Sequence, residues 1–241
     1  MHSLTANVPL FRFSAEAYPE RERLTAWREI FGRTVCNLDI DSLGAGRFRS
    51  DAAVCQLPGL GLLVGSTTGV RLTHSKELIV DDDLSFMTGP MLKWNASQLG
   101  RHVVLGSGDG VLMNNAEVGM ITLPESTPFL TFRVPAAAIR SLVVDIDGVV
   151  ARRVPADSEA LRLLARYLGV LQDASLLNAA QVRDLAVTHA YDLLALALGA
   201  TRDAAEIAER GGLRAARLQA ILAEIKARTS PIRISLRRMW R

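Results

Sequence analysis

One boundary constrains this chain more than any other: at Pro135 its texture changes. From Cys36 to about Val134 the sequence is cut into short apolar runs: Arg47–Leu57, Leu60–Gly65, Leu84–Met87, Met91–Trp94, Arg101–Leu105, Val111–Met113 and Val118–Leu123. Turn-forming stretches separate them, among them Pro58-Gly59, Thr88-Gly89-Pro90, Gly106-Ser107-Gly108-Asp109-Gly110, Asn114-Asn115 and Pro124-Glu125. Glycine permits positive φ and proline fixes a negative one, so such stretches end strands and reverse the chain. Many short strands with regular turns predict a sandwich or a small barrel. The Gly106–Gly110 stretch has no Lys-Ser/Thr after it and runs into a strand, so it reads as a hairpin turn and not as a phosphate loop.

After Pro135 helical spacing takes over. Across Ser158–Gln172, Leu161, Leu164, Leu168 and Leu171 recur at alternating steps of three and four, the seam of a coiled-coil type of contact. A second helix over about Ala180–Leu198 stops at Gly199, the residue type expected just past a helix end. Thr201 reads as the N-cap of a third, which Gly211-Gly212 interrupts. Leu218, Ile221, Leu222 and Ile225 then form an apolar stripe. Ahead of the strands, residues 20–33 read as a short amphipathic helix with Leu24, Trp27 and Phe31 on one side.

With 241 residues, 49% of them hydrophobic and 22% charged, the chain has enough apolar material for one large or two small cores. No apolar stretch approaches the ~18–20 residues of a membrane span, so no membrane partner is expected. The segment Met1–Asn7 has neither the basic head nor the apolar region of an export signal. Cys36 and Cys55 lack Cys-x-x-Cys spacing and any disulfide framework, which leads to the expectation of reduced thiols in the cytoplasm. The net charge of +3 is unevenly spread. From Gly212 to Arg241 eight basic residues face one acid, and the remainder holds 20 basic against 24 acidic residues. An acidic body with a basic end suits a polyanionic partner, and equally a solvated terminal helix.

No catalytic constellation stands out. His2, His74, His102 and His189 form no His-x-His or His-x-x-x-His pair, so neither a metal site nor any other cofactor is expected. Asp81-Asp82-Asp83 lacks calcium-loop spacing, and Gly65–Gly69 is not a nucleophile elbow. A barrel interior still binds small molecules when apolar walls surround a few convergent polar groups. Arg71, His74, Met87, Trp94, His102 and Met113 are polar or soft residues within the strand runs, and they are the candidate pocket lining. Core filling or surface exposure is the competing reading for each of them.

Two stretches carry a family resemblance: Asp203-Ala204-Ala205-Glu206, and Arg210-Gly211-Gly212-Leu213-Arg214-Ala215-Ala216-Arg217-Leu218-Gln219-Ala220-Ile221. Together they resemble the connector that precedes the DNA-binding domain in AraC-type regulators with an AraC-binding-like sensor. Ala26-Trp27-Arg28-Glu29, Leu57-Pro58-Gly59-Leu60, Gly108-Asp109-Gly110 and His189 with Asp192-Leu193 follow in the matching order, and the likeness extends to about Arg228. It implies an α+β fold, a cupin-like jelly-roll barrel followed by a helical dimerisation and linker region. The corresponding division is an N-terminal arm and short helix over 1–34, the barrel over 35–134, dimerisation helices over 135–200, a linker with the first DNA-domain helix over 201–229, and a basic tail over 230–241. The resemblance further implies a regulator without enzymatic activity that takes a small-molecule effector, forms a homodimer and meets DNA through a C-terminal helix-turn-helix. Leu161, Leu164, Leu168 and Leu171 become the expected dimer seam. Arg214 and Arg217 become candidate phosphate contacts, with solvent-facing charge as the other reading.

Residues 229–241 do not fit that family pattern, which expects Asp-Pro-x-Leu-Ser followed by Val-Ala. Read from the third base of each codon, Met239-Trp240-Arg241 becomes Val-Ala, and Pro231–Ser235 has codon choices that spell Asp-Pro-Asp-Leu-Ser. A frameshift near Arg228–Ser230 is the resulting expectation. The alternatives are a stand-alone or dominant-negative sensor and a cupin-like barrel enzyme. Sequencing the gene through the codons for Arg228–Arg241 checks the point. A helix-turn-helix in a second frame is the expected result, and its absence favours the stand-alone sensor.

Overall fold

Two antiparallel sheets organise the protein in the computed structural model, which describes residues 10–90, 93–124, 126–173, 177, 179–199 and 216–221. The strands are β1 (Leu10–Ser14), β2 (Asp39–Ser42), β3 (Ser50–Leu57), β4 (Leu60–Thr67), β5 (Val70–His74), β6 (Leu84–Thr88), β7 (Lys93–Gln98), β8 (Arg101–Gly106), β9 (Gly110–Asn114), β10 (Gly119–Leu123), β11 (Thr127–Val134) and β12 (Arg153–Val154). The larger sheet runs β1-β3-β4-β11-β6-β9-β12 and the smaller one β2-β5-β10-β7-β8. They face each other as a jelly-roll of the cupin type. The helices are α1 (Arg23–Ala26), α2 (Ala136–Arg140), α3 (Ile146–Val149), α4 (Glu159–Leu171) and α5 (Ala180–Ala197).

Successive strand residues point to opposite faces, and here both faces of the larger sheet are covered. Leu57, Leu62, Leu84, Phe86, Leu112, Phe132 and Val134 point outward into a core shared with α2, α4 and α5. Their sequence neighbours Val54, Leu63, Met87, Val111, Met113 and Phe129 point inward, toward the smaller sheet. This explains the continuous apolar run in β9, where all five residues are buried. The smaller sheet has one wet face, and in β7 and β8 buried positions alternate with more exposed ones.

The sequence reading finds seven of the strands and misses β1, β2, β5, β11 and β12. In β11, Pro128 argues against a central strand because it has no N–H to donate. The structure resolves the conflict: Pro128 is flanked only by β4, since the pairing with β6 begins at Leu130. The Gly106–Gly110 turn is not a hairpin. It carries the chain from β8 in the smaller sheet to β9 in the larger one, so its flanking strands do not pair with each other. Expectations placed on residues 200–215 and 222–241, including Arg214 and the altered tail, lie outside the described residues.

Ser158 caps α4 as its hydroxyl accepts from Leu161 N at 3.4 Å, and α5 ends before Gly199, which takes the positive φ of +78° that glycine tolerates. The leucine seam is corrected by packing. Leu161, Leu164, Leu168 and Leu171 are at most 1% exposed, buried within the single chain between α4, α5 and the outer face of the larger sheet. The three-four spacing therefore marks the inner face of a helix in its own core and leaves nothing of these side chains for a partner subunit.

At the N-terminal side the chain departs from a plain amphipathic helix. After α1, residues Trp27–Cys36 continue as a π-helix, closed by Asn37 in the left-handed region and by Leu38 N donating to Gly32 O at 3.0 Å. A Cβ on Gly32 would lie 2.7 Å from Leu38 O, so only glycine permits this approach. Arg28 donates to Ile40 O and to Asp41 Oδ1, both at 2.8 Å, and fastens the segment to β2. Trp27 stacks on Phe31 with ring centroids 4.4 Å apart, and Phe13 and Phe48 flank the pair.

The sheet crossover at residues 106–110 hangs on Asp109, whose side chain is 3% exposed. Its carboxylate accepts from Gly106 N and Arg153 Nε at 2.7 Å and from Ala156 N at 2.9 Å. Burial works against the charge, but the Arg153 hydrogen bond and the two backbone N–H groups outweigh it and hold the carboxyl below the usual carboxylate range. A depressed carboxyl contributes stability above its unfolded pKa, and this contribution fades as pH falls through the folded value. Two predictions follow from the packing. Asp109→Ala should cost about 2–4 kcal/mol in urea unfolding at pH 7, and the gap to the wild type should narrow under acid conditions. Leu168→Ala should cost about 2–5 kcal/mol, and the loss should not vary with protein concentration, as that of a dimer-seam residue would.

Candidate functional site

Strand register sorts the inward-facing side chains into levels. Across the larger sheet, Gln56, Gly61, Arg133, Ser85 and Met113 are successive register partners in one row. One level on, the row is Val54, Leu63, Thr131, Met87 and Val111, and beyond it Ala52, Gly65 and Phe129. The smaller sheet repeats this order, with His74, Gly119 and Gln98 in one row and Ile40, Leu72, Ile121 and Ala96 in the next. Each sheet is polar at one level and apolar further along.

The polar levels of the two sheets meet at the turn between β9 and β10. Gln98 donates to Asn114 O at 2.8 Å and Glu117 O at 2.9 Å, and accepts from Asn114 N at 2.7 Å. Ser85 Oγ donates to Asn115 Oδ1 at 3.0 Å. His74 Nε2 lies 2.8 Å from Asn115 O, and its Nδ1 lies 2.7 Å from Asn37 O. Two carbonyl acceptors face one imidazole ring: a neutral ring donates to one of them, and only the doubly protonated ring donates to both.

Between the sheets lies a cavity of about 220 Å³. Its apolar lining includes Trp27, Phe31, Ile40, Val70, Leu123 and Phe129, and its polar lining includes Gln56, His74, Ser85, Gln98, Asn115 and Arg133. Among the described residues no Asp or Glu lines it, and none form a cluster of three or more His, Cys, Asp or Glu able to hold a metal ion. Arg133 pairs with Asp81 and donates from Nε to Asp83 Oδ2 at 2.8 Å. Cys36, at the end of the π-helix, also lines the cavity, and burial pushes its thiol up to about 12 against the opposing pull of the Arg133 charge.

An apolar-walled cavity with a few converging polar groups has the form common to small-molecule pockets. The family description "AraC-binding-like domain" matches residues 27–199, most of the chain and all of its named strands and helices except β1 and α1. The chain belongs to the AraC-binding-like family. No curated protein matches this AraC-type sensor domain in sequence. Among solved structures it is similar to the AraC-like transcriptional activator CuxR, with a TM-score of 0.69 and 13% identity over 80% of this chain and 71% of that one. A smaller share of the chain matches an RmlC-like cupin from Shewanella frigidimarina (14% identity, TM-score 0.30, 41% of this chain and 84% of that one). A further partial match is the Clostridium difficile EutQ protein (13% identity, TM-score 0.30, 37% and 64%). The family and the CuxR neighbour are regulatory. Among the described residues no helix of the sensor domain is long and apolar enough to cross a membrane.

Of the six lining residues expected from sequence, His74, Met87 and Met113 line the cavity together. Arg71 and His102 are exposed, because Val70, Leu72 and His74 take the inward positions of β5, and Arg101, Val103 and Leu105 those of β8. Trp94 points inward but is fully buried in the core beside the cavity, where its Nε1 has no hydrogen-bond partner. Sequence reasoning misses Trp27, Phe31 and Cys36, although the Trp27/Phe31 spacing was visible and was assigned to helix packing alone. It also misses Arg133, whose signal lies in the alternation Thr131-Phe132-Arg133-Val134. Arg217 is exposed on the helical residues 216–221.

Burial raises the thiols of both Cys36 and Cys55. With Cys36 pushed up to about 12, almost none of it is thiolate at pH 8.5. Iodoacetamide should therefore alkylate Cys36 in the folded protein at least about 100-fold more slowly than in urea, as followed by mass spectrometry. Comparable rates would show that the cavity does not shield this thiol.

Proposed function

We propose that this domain is the effector-sensing and dimerising part of an AraC-type transcription regulator, working in the cytoplasm. A small molecule enters the cavity, and its presence shifts the balance between two arrangements of the helical layer and a DNA-reading partner domain. Such a shift requires that the ligand favour one arrangement over the other. The observation that carries this reading is that one sheet forms both the cavity wall and the seat of the helices. In β11, Arg133 lines the cavity while Phe132 and Val134 enter the helix core. Tyr191 of α5 donates to Gly59 O at 2.5 Å, in the turn between β3 and β4. Those strands bring Gln56 and Gly61 to the cavity. Displacing an inward residue by a fraction of an ångström thus moves a side chain packed on a helix, since close-packed interiors transmit such shifts.

Homodimerisation belongs to this proposal because paired half-sites need paired readers, but its surface lies elsewhere than the buried α4 leucines. Contacts of Arg214 and Arg217 with DNA phosphates belong to it too, and would position the protein without reading sequence. A fusion of residues 1–199 to a DNA-binding domain stripped of its own dimerisation part tests the reading. The fusion should repress a reporter carrying two half-sites, and effector-bearing cell extract should change the repression. Met113→Trp, which fills the cavity, should abolish the response to extract and keep the repression. Absence of repression, with a monomeric mass in sedimentation, would overturn the dimer reading. Repression indifferent to extract, with wild type and Met113→Trp alike, would favour a role other than sensing.

A further inference from the structure

We infer that the cavity takes a small molecule with an apolar body and a single anionic head of the carboxylate kind, and that Arg133 is the residue that reads the head. The inference rests on the reading of the cavity as a ligand site and adds the chemistry of what enters it. Charge is the first argument. Arg133 is the one permanently charged lining residue among those described, and no carboxylate lines the wall to meet a cation. Across the polar level, both ring nitrogens of His74 are engaged by the carbonyls of Asn37 and Asn115, which leaves Arg133 to meet the head.

Donor arithmetic is the second argument. A guanidinium has five N–H donors in a flat fork. Asp83 takes Nε and Asp81 takes one from Nη2, which leaves others for a third acceptor. The side chain is 29% exposed, so an incoming head can reach it. On one flank stands Gly61, where a Cβ would lie 3.1 Å from Gln56 Oε1 and 3.7 Å from the Arg133 Cβ. Glycine at that register position leaves the Gln56 amide, which stands beside Arg133, the room that a Cβ would take. One level further in on the same face of β11, the Thr131 hydroxyl is buried without a hydrogen-bond partner, an orphan of the kind that a bound polar group accounts for. Past it the wall is Trp27, Phe31, Leu123 and Phe129, which suits an aliphatic or aromatic body.

The two aspartates have a double effect. They hold the guanidinium in place, and they compete with the incoming anion for it. Weakening one of them should therefore strengthen the ligand.

The test is calorimetric titration of the full chain with matched probes: octanoate, octanamide and octylamine, and the compact trio benzoate, benzamide and benzylamine. In at least one trio the carboxylate should bind about tenfold or more tightly than the amide, with the amine weakest. Arg133→Gln should erase the preference and keep the amide's affinity. Because that variant strands Asp81 and Asp83 and so risks misfolding, Asp81→Asn serves as the second arm. It should raise carboxylate affinity several-fold and leave amide affinity unchanged. Carboxylate and amide binding equally well, or Asp81→Asn raising both alike, would overturn the anionic head and leave the cavity standing as a ligand site. Failure of all six probes to bind at millimolar concentration would overturn the ligand site itself, and this inference with it.

Discussion

The larger sheet is buried on both faces, and the rest of the structure depends on that. A sheet with one wet face needs only alternation, but this one must supply apolar side chains to α2, α4 and α5 on its outside and shape a cavity on its inside. The helices are therefore not an appendage to a barrel. Without them Leu57, Leu62, Phe86 and Phe132 would face water, and the sheet that shapes the cavity would lose its backing. β12 strengthens the bond, since Arg153–Val154, from the helical part of the chain, pair with β9 and bring Arg153 to Asp109.

The same arrangement accounts for a polar cavity floor in a chain with few buried charges. Polar groups in an apolar interior are costly unless they are paired, and on the polar level each such side chain has at least one partner. Gln98 uses both its carbonyl and its amide on the β9–β10 turn, Ser85 is held by Asn115, and Arg133 is held by two aspartates. The levels beyond are apolar apart from the Thr131 hydroxyl, so the cavity grades from hydrogen-bonding to hydrocarbon along the strands. Such a gradient orients a ligand as well as admitting it. Asp83 touches both sides of the sheet: it holds Arg133, and after burial its charge is the next cause of the rise in the Tyr191 phenol on α5.

Particular residues show how far the sequence was legible. Turn chemistry located most strands, and helix spacing with a terminal glycine placed α4 and α5 to within a residue or two. His74, Met87 and Met113 were recognisable because polar or soft residues in apolar runs stand out. Arg71 and His102 stand out for the same reason, yet strand phase turns them to solvent, and phase is set by register with neighbouring strands. Arg133 illustrates the reverse case. In Thr131-Phe132-Arg133-Val134 alternation usually means polar to water and apolar to core, but here the polar face looks into a cavity and the apolar face into a second core. The π-helix was hidden because its side-chain types are those of an ordinary amphipathic helix, and only its approach to β2 shows the wider turn.

By itself the sequence determined the local grammar: where strands and helices break, that the chain passes from one to the other at Pro135, and which face of α4 is apolar. These follow from backbone freedom and periodicity, which act over a few residues. Only the tertiary structure decided what those faces meet. The α4 leucines could have packed on a second subunit or on their own sheet, and a three-four repeat is the same in either case. The sheet was decisive, because its outer face offered them burial within one chain, and the cavity formed on the side that α2, α4 and α5 do not cover.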